Sequence, residues 1–494
     1  MPCSTSLFFF CHRVTINMEN NAAPEQEMYQ KRVPIFPRSV SGKFRNLKYV
    51  ILFLAYAVYF LLPWLRWARE TGPQQAVLFD LDGRRFYIFD LVVYAQDIFW
   101  LAGVLIIAAW LLFFVTGLAG RVFCGYFCFQ TLWTDLYMLI ERMVQGERPA
   151  RIRLYKASMS GAKAIKLGIT HFLWLFVSFL TGLSFTLYWA DAPQLVLDFF
   201  SGNAPFPAYA TTFFLTLSTY VMAGLAREQV CTYMCPYSRF QSAMFDRDTL
   251  IVAYDEVRGE GNKGRTKLSK ALKDIDVRHE QGVGDCIDCG YCVQVCPVGI
   301  DIRDGMQYQC ITCGLCVDAC NEIMDSVEYP RGLISYTSDK ALSGEKTRWF
   351  KAKNIGYAVS IVATTAALIW SVATRDVLEL AVRQVRQPLS VTLADGRVQN
   401  SYELKISNKG ITSTDYRIRL ESFQNAELDM GQFDVITLAP EKTLRVMVRI
   451  KVNPTHATQS KTLFHFILEP QNQPDITPVQ HDAWFYIPQN QLGK

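Results

Sequence analysis

The sequence predicts a multidomain membrane protein that combines an α-helical transmembrane bundle of five spans, a cysteine-rich insert and a C-terminal all-β domain. Three observations lead to this fold class. Half of the 494 residues are hydrophobic and only 19% are charged, a balance typical of membrane proteins. Eight of the 14 cysteines fall between Cys286 and Cys320. After about residue 380, hydrophobic and polar residues alternate as they do in β-strands.

Five apolar stretches are long enough to cross a hydrocarbon core of roughly 30 Å. Tryptophans such as Trp64, Trp100 and Trp189 lie near their ends, as in the aromatic belts at membrane surfaces. Buried helices of a soluble core would not explain five such stretches with this flanking pattern. The expected spans are residues 49–67, 98–118, 167–189, 207–225 and 355–373.

The charge pattern predicts how these spans are oriented. Lysines and arginines are concentrated before the first span and between the second and third, whereas the loop between the third and fourth carries Asp191 and Asp198 and no Lys or Arg. By the positive-inside rule, the N-terminus and the segment between spans four and five are cytoplasmic, and the fifth span exports the C-terminus. Arginines in the first exported loop, such as Arg66 and Arg84, weaken this bias.

The predicted domain plan therefore has five parts in a multi-pass protein of the bacterial inner membrane. They are a cytoplasmic N-terminal tail (1–47), a four-helix transmembrane region (48–226), a cytoplasmic insert (227–352), a fifth transmembrane helix (353–374) and a periplasmic domain (380–494). The apolar run near the N-terminus is too short for a signal peptide. Met18 is an alternative start, which would leave Cys3 and Cys11 without a role. The net charge of +5 is spread over loops that flank the membrane, so lipid is an expected partner and nucleic acid is not.

Two copies of one cysteine pattern define the chemistry of the insert. The pattern C-x2-C-x2-C-x3-C starts at Cys286 and again at Cys310, which is the spacing of bacterial two-cluster ferredoxins. In that arrangement the fourth cysteine of each run binds the other 4Fe–4S cluster. Zinc sites usually use two separated cysteine pairs, and disulfides would not repeat a metal spacing. We therefore expect two 4Fe–4S clusters, cluster 1 on Cys286, Cys289, Cys292 and Cys320, and cluster 2 on Cys296, Cys310, Cys313 and Cys316.

A second cysteine pattern repeats at the ends of spans two and four. Residues 117–128 align without a gap with residues 224–235, which gives two C-x3-C pairs. Residues four apart share one face of a helix, so each pair can present two sulfurs together. Soft thiolates select Cu(I), zinc or iron–sulfur clusters, whereas free cysteines often only pack helix ends. The candidate site for copper or another soft metal consists of Cys124, Cys128, Cys231 and Cys235.

The last part of the chain reads as a β-domain. Alternating runs at 389–393, 402–406, 416–420, 444–452 and 463–468 are separated by turn sequences such as Ala394-Asp395-Gly396. Their spacing predicts an immunoglobulin-like sandwich of about seven strands. Because this part contains no cysteine, no disulfide can stabilise it, and a docking role is more plausible for it than a redox role.

Together these features resemble the CcoG/FixG/RdxA family of cytochrome c oxidase accessory proteins. The resemblance rests on residues 121–128 and 227–236, the double ferredoxin motif and the C-terminal β-domain, with Phe129 standing where a proline is expected. It implies a role in assembling cbb(3)-type cytochrome c oxidase, in which Cu(II) is reduced to Cu(I) for insertion. It also implies that oxidase subunits or a copper chaperone are partners, alongside an unidentified electron donor.

Two other functions fit the same residues. The chain would be a membrane electron-transfer subunit that carries quinol electrons to a periplasmic reductase, or a redox sensor whose clusters control a partner. No nucleotide-binding motif or hydrolase triad stands out, so nucleotide use is not supported. The expected activity is that of an oxidoreductase that transfers electrons, with no catalytic side chain assigned. His171, near the start of the third span, is a poor candidate for a haem or copper ligand, because a lone histidine at the membrane interface is more often only hydrogen-bonded. No second histidine is suitably placed on another span, which disfavours a bis-histidine haem.

Overall fold

The computed structural model describes residues 34–69, 72–94, 97–242, 244–269, 272–410, 412–423, 425–431, 433–440, 442–454, 459–472 and 477–489. The predictions about Met18, Cys3 and Cys11 lie outside these residues. Helices and strands are numbered below in chain order.

Five helices in the described part of the chain are long and apolar enough to cross a membrane, which confirms the predicted number of spans. Two of them, α1 and α6, begin earlier than the hydrophobic pattern predicted, because their first turns are polar and still helical. A 3-10 turn, Leu62–Trp64, extends α1, and a π-helical segment, Tyr220–Ala226, extends α8. The five helices are α1 (Lys43–Leu61), α2 (Ile98–Ala119), α6 (Gly161–Thr186), α8 (Phe206–Thr219) and α15 (Ala352–Ala373).

These helices pack in two close pairs. Along α2 and α15, Trp100 Nε1 donates to Ser371 Oγ at 3.0 Å. Along α6 and α8, Gly182 lets the helices approach, since a Cβ there would lie 2.4 Å from the Thr212 carbonyl oxygen. The hydroxyls of Thr186 and Thr212 are 2.9 Å apart. Small residues and hydroxyl pairs of this kind are the usual contacts between helices in lipid.

The connection between the second and third spans is helical, which the sequence did not predict. It contains α3 (Val122–Tyr126), α4 (Phe129–Gln145) and α5 (Arg148–Lys156). One face of α4 packs on the spans, where Trp133 Nε1 donates to Thr181 Oγ1 at 2.8 Å. The other face carries Asp135, which accepts from Arg45 at 2.9 Å. Asp135 and Met138 of α4 also line a cavity together with Pro297 and Leu315, so α4 lies between the spans and the cysteine-rich insert.

The connections between α1 and α2 and between α6 and α8 also contain regular structure. Strands β1 (Val77–Asp80), β2 (Arg85–Ile88) and β3 (Leu91–Tyr94) form an antiparallel meander between α1 and α2. Helix α7 (Ala192–Ser201) lies between α6 and α8. Gln75 fixes the two connections to each other, because its side chain donates to the Leu187 carbonyl and accepts from the Ala192 N–H, both at 2.9 Å.

The insert is closed by strand pairing between its two ends. Strand β4 (Ile251–Tyr254) pairs antiparallel with β5 (Ile334–Thr337). Their buried side chains share one core with the first cysteines, including Cys286 and Cys292. The helices of this part are α9 (Pro236–Ser242), α10 (Glu256–Glu260), α11 (Ile275–Glu280), α12 (Tyr291–Val295), α13 (Leu315–Ser326) and α14 (Asp339–Leu342).

The C-terminal part is a β-sandwich, as predicted. In the described residues, one sheet has the order β10–β12–β8–β6, with β7 also paired to β8, and the other has the order β11–β9–β13–β14. The core between them holds fully buried aromatic rings, Tyr402, Phe464, Phe466 and Phe485. The strands are β6 (Leu378–Gln384), β7 (Val391–Thr392), β8 (Val398–Asn408), β9 (Thr414–Glu421), β10 (Ala426–Asp429), β11 (Ile436–Leu438), β12 (Thr443–Val452), β13 (Lys461–Pro470) and β14 (Val479–Tyr486).

The expected count of about seven strands was too low. The pattern at 389–393 forms only the two-residue strand β7, while β6, β10, β11 and β14 were not among the predicted runs. Strands as short as β10 and β11 contain too few residues to show an alternation of period two, whereas β6 and β14, with 7 and 8 residues, were long enough and were still missed.

Candidate metal centres

The cysteines of the insert surround two neighbouring voids. The first is lined by Cys286, Cys289, Cys292 and Cys320. The second is lined by Cys296, Cys310, Cys313 and Cys316, and Cys292 forms the wall between the two. The fourth cysteine of each run thus lies with the first three of the other run, the exchange that the spacing predicts. Their role as cluster ligands remains a prediction.

The two cysteine runs share one backbone conformation, which explains how such short loops surround a void. Asp288 and Gly290 have positive φ angles of 46° and 63°, and Thr312 and Gly314 repeat them with 53° and 72°. Helices α12 and α13 begin directly after these glycines. A left-handed glycine followed by a right-handed helical residue turns successive backbone N–H groups toward one side of the loop, and such a nest favours an anionic group.

The donor set fits an iron–sulfur cube better than a single ion. The second void is lined by sulfur and apolar side chains, and the first also has Arg303 in its wall. In the described part of the chain, no three Cys, His, Asp or Glu side chains converge closely enough to hold one ion. A tetrahedral zinc site would bring its sulfurs to about 2.3 Å from a common point. Cysteines that surround a wider void are what a cubane cluster requires.

Burial raises the pKa of several of these thiols, which keeps them protonated while no metal is bound. It raises the pKa of Cys292 and Cys310 to about 11 and that of Cys296 and Cys320 to about 12. Because thiolates and not thiols bind iron, cluster binding must displace protons and must supply the charge that stabilises the thiolates. Cluster binding and folding of this region are therefore coupled.

The two membrane-side hairpins also share a backbone conformation. Gly120 and Arg227, which occupy aligned positions, leave their helices with φ/ψ of 58°/−125° and 46°/−113°. The N–H of Cys128 donates to Phe123 O at 3.0 Å, and that of Cys235 donates to Val230 O at 2.8 Å. The internal repeat seen in the sequence is therefore also a repeat of structure.

The expectation that each C-x3-C pair lies on one continuous helix is wrong. Cys124 lies in α3 and Cys231 in a π-helical turn, Val230–Met234. Cys128 and Cys235 follow these turns with extended ψ angles of 126° and 109°. The chain must turn there to begin α4 and α9, so the second sulfur of each pair belongs to a helix junction.

The four membrane-side cysteines lie close enough to influence one another. Burial, and next the neighbouring Cys128, raise the pKa of Cys124 to about 12, and Cys231 and Cys235 contribute to the same shift. Burial, followed by Cys128, raises the pKa of Cys231 to about 11. The Cys124 thiol donates to Gln241 Oε1 at 3.3 Å. The structure thus brings the two pairs together, although no three of the sulfurs form a single-ion site among the described residues.

Helix α3 packs directly on the second cysteine loop of the insert. Cys124 joins a buried cluster that includes Ile311 and Cys313. A Cβ on Gly125 would lie 2.6 Å from Ile311 O, so only glycine permits this approach. Tyr126 OH donates to Cys313 O at 2.9 Å. The membrane-side cysteines therefore lie against the wall of the second void.

The insert is also fixed to the start of α1 by residues that the sequence reasoning missed. Asp318 accepts from the backbone N–H of Arg45 at 2.8 Å and of Phe44 at 3.3 Å. The Phe44 ring stacks on Tyr336 with 5.4 Å between centroids and lies beside Gly314. A carboxylate at a helix N-terminus is favoured by the orphan N–H groups and the helix dipole. No local pattern in the sequence pairs residue 44 with residue 318.

His171 has a structural role in the described residues. Its Nδ1 is 3.0 Å from Tyr220 OH, and its ring meets Trp174 edge-on with centroids 5.0 Å apart. This agrees with the expectation that it is hydrogen-bonded at the interface.

Comparison with known proteins identifies two domains. Residues 226–339 match the family described as a 4Fe-4S dicluster domain. Residues 368–488 match the family described as an Ig-like fold at the C-terminal of FixG. A crystal structure of a FixG-related protein from Vibrio parahaemolyticus is 20% identical and covers 23% of this chain and 97% of its own, with a TM-score of 0.21.

Similarity to curated proteins extends over most of the chain. Protein RdxB of Cereibacter sphaeroides is 42% identical over 435 residues, which cover 86% of this chain and 90% of RdxB. Protein RdxA of the same organism is 44% identical over 405 residues, which cover 80% of this chain and 83% of RdxA. Nitrogen fixation protein FixG of Rhizobium meliloti is 37% identical over 497 residues, which cover 92% of this chain and 94% of FixG.

Proposed function

The chain belongs to the FixG/RdxA family of iron–sulfur electron-transfer proteins, and on that premise we propose that it reduces Cu(II) to Cu(I) at its membrane-side cysteines. The Cu(I) would serve the assembly of cbb(3)-type cytochrome c oxidase. One observation carries this proposal, namely the contact of Cys124 and Gly125 with residues 311–313 of the second cysteine loop. It gives electrons from the insert a short path to a group of soft ligands.

The residues of the insert would bind the two clusters and shield them from water. The clusters would supply one-electron transfer at potentials that hydrogen bonds and burial adjust. Cys286, Cys289, Cys292 and Cys320 would hold one, and Cys296, Cys310, Cys313 and Cys316 the other. The apolar lining, from side chains such as Val252, Ile302 and Leu315, excludes water from the second set.

The membrane-side cysteines suit copper as a substrate. Each Cu(II) takes one electron to give Cu(I), and the electron comes from a reduced cytoplasmic flavin or iron–sulfur protein. Thiolates prefer Cu(I), so sulfur ligands favour the reduced product. Two sulfurs in a hairpin suffice for a low-coordinate Cu(I) ion, whereas tetrahedral zinc needs four ligands. Among the described cysteines, no three sulfurs converge on one point, which suits two-coordinate Cu(I) better than tetrahedral zinc.

The proposed setting is the inner membrane of a bacterium. The distribution of lysine and arginine supports a cytoplasmic insert and a periplasmic sandwich. Iron–sulfur clusters and free thiols also suit a reducing compartment. The sandwich would then dock an oxidase subunit or a copper chaperone.

Copper reduction by anaerobically purified protein tests the proposal. The protein is reduced, freed of excess reductant and mixed with Cu(II), and a Cu(I)-specific chelator measures the product. We expect one Cu(I) per cluster electron, and at least a tenfold slower reduction in the double variant Cys124→Ser/Cys231→Ser. Thr232→Ala is the matched control, because its hydroxyl donates only to Glu228 O of the same turn, at 2.9 Å.

Iron content and EPR establish whether each variant keeps its clusters. Unchanged copper reduction in the double variant, with clusters intact, would contradict the proposal. Quinol oxidation without copper would favour an electron-transfer subunit instead. Redox-dependent binding of a partner without turnover would favour a sensor.

A further inference from the structure

Arg121 joins the second cysteine set of the insert to the second membrane-side hairpin. Its side chain is only 3% exposed. One guanidinium nitrogen donates to the Tyr308 carbonyl, two residues before Cys310, and the other donates to the Ser238 carbonyl in α9. Arg121 itself lies one turn before Cys124. In the sequence, Arg121 is the first residue of the segment 121–128 on which the family resemblance partly rests, and nothing in that pattern predicts its burial.

The positive charge of Arg121 has no carboxylate partner within salt-bridge distance among the residues that the structure describes. Arginine keeps its proton in proteins, and a buried charge requires an opposite charge nearby. Burial lowers the pKa of Arg121. The sulfurs that oppose this shift are, from the largest effect to the smallest, those of Cys124, Cys310, Cys231 and Cys235. The two carbonyls that accept from Arg121 lie two residues before Cys310 and three residues after Cys235, so the guanidinium lies between the two cysteine sets.

The hairpin fold does not require this arginine. In the second copy of the repeat, Glu228 occupies the position that Arg121 has in the first. Both copies nevertheless make the same left-handed turn and the same hydrogen bond at their second cysteine. The same backbone turn therefore accepts either charge at this position. The charge of Arg121 is not needed for the turn and is available for the chemistry of the site.

We propose that Arg121 is a positioning residue that acts as the common counter-ion of two sulfur sites. These are the cluster held by Cys296, Cys310, Cys313 and Cys316, and the membrane-side group of Cys124, Cys128, Cys231 and Cys235. The inference rests on the proposed function and adds a coupling to it. A change of charge at one site alters the free energy of adding an electron at the other.

This coupling would make copper reduction self-limiting. Two thiols are neutral, whereas Cu(I) held by two thiolates carries one net negative charge. That charge offsets Arg121 and makes electron addition to the adjacent cluster less favourable. Retained Cu(I) would therefore slow further reduction until it is passed on.

Redox titration of the anaerobic holoprotein, followed by EPR, tests the inference. In Arg121→Gln, we expect the reduced-to-oxidised ratio of one cluster at a fixed potential to fall about tenfold, which is 59 mV for a one-electron couple. The other cluster should not change. Arg121→Lys keeps the charge and should restore most of the ratio, which a purely structural role would not predict.

Arg278→Gln is the matched control. Arg278 is also fully buried, and it donates to the carbonyls of Gly284 at 2.7 Å and Cys286 at 3.2 Å beside the first cysteine set. Its substitution should shift the other EPR signal. A shift of the same signal by both variants would overturn the assignment of Arg121 to the second set.

The possible failures are distinguishable. Unmodified protein without iron would refute the proposed function itself, whereas two intact clusters with unchanged potentials in Arg121→Gln would refute only the inference. If that variant does not fold, unmodified protein is titrated with and without one equivalent of Cu(I). One midpoint should fall on copper loading, and no change in either midpoint would overturn the coupling.

Discussion

At the scale of single residues, buried charges organise the layer between the spans and the insert. Glu141 in α4 accepts from both Arg151 and Arg227, and the guanidinium of Arg227 also lies 5.1 Å from the centre of the Trp174 ring. Arg227 is the residue that makes the left-handed turn of the second hairpin. Its ion pair with Glu141 therefore holds a strained turn, which the first hairpin makes with the unstrained Gly120.

Removing the charge of Glu141 should destabilise the protein strongly. In Glu141→Gln, the buried Arg151 and the partly buried Arg227 lose their counter-ion, and breaking a buried pair in this way costs about 3–5 kcal/mol. Asp191→Asn is the control, because it breaks the Arg66–Asp191 pair, whose side chains are 41% and 44% exposed. Such a surface pair contributes only about 0–1 kcal/mol. Thermal unfolding in detergent, followed by tryptophan fluorescence, compares the two variants, and equal losses would refute the argument.

At the scale of elements, the molecule uses two internal repeats, each with one backbone conformation. The cysteine loops of the insert repeat their left-handed residues, and the membrane-side hairpins repeat their turn. In the insert, the two copies exchange their fourth cysteines, so neither loop surrounds a void alone. The exchange makes the two halves of the insert depend on each other.

Single cysteine substitutions should reveal this exchange. Cys320 belongs to the second run but lines the first void. We therefore expect Cys320→Ser to remove the cluster of Cys286, Cys289 and Cys292. Cys296→Ser should remove the other cluster. EPR of the reduced variants, with iron analysis, measures which signal is lost. Loss of the same signal in Cys320→Ser and Cys310→Ser would show that each run binds its own cluster.

At the scale of the whole molecule, ion pairs connect its parts. Asp246, which follows α9, is 2.6 Å from Lys351 and 2.5 Å from Lys353 at the start of α15. Asp97, at the start of α2, forms ion pairs with Arg375, which follows α15, and with Lys409, which follows β8 of the sandwich. These pairs fix the insert and the sandwich to opposite ends of α15.

The Asp246 contact predicts a dependence of stability on pH. Partial burial raises the pKa of Asp246, but hydrogen bonds from Lys351 and Lys353 outweigh this and hold the pKa well below its usual range. The stabilisation is therefore complete above the ordinary aspartate pKa of about 3.9 and is lost as the pH falls toward the depressed value. Asp246→Asn should be less stable than the unmodified protein at pH 7, and the difference should shrink below about pH 4. Thermal midpoints measured across this range test it, and a difference that grows on acidification would contradict it.

The sequence by itself determined the parts that depend on local spacing. Five spans follow from runs of apolar residues, the grouping of cysteines follows from their separation along the chain, and the sandwich follows from alternation in β8, β9, β12 and β13. Such patterns need only neighbours within one element, so they can be read without knowing what the element contacts. The repeat of the C-x3-C pairs could also be seen, although not the helix break at each second cysteine.

Only the tertiary structure decided which distant residues meet. The burial of Arg121 between two cysteine sets, the capping of α1 by Asp318 and the packing of Gly125 on Ile311 join segments that are far apart in sequence. The meander β1–β3 and the helix α4 also depend on such contacts. A charged or small residue has the same appearance in a sequence whether it faces water or a buried partner, and its energetic role is set by desolvation and by the groups that the fold places around it.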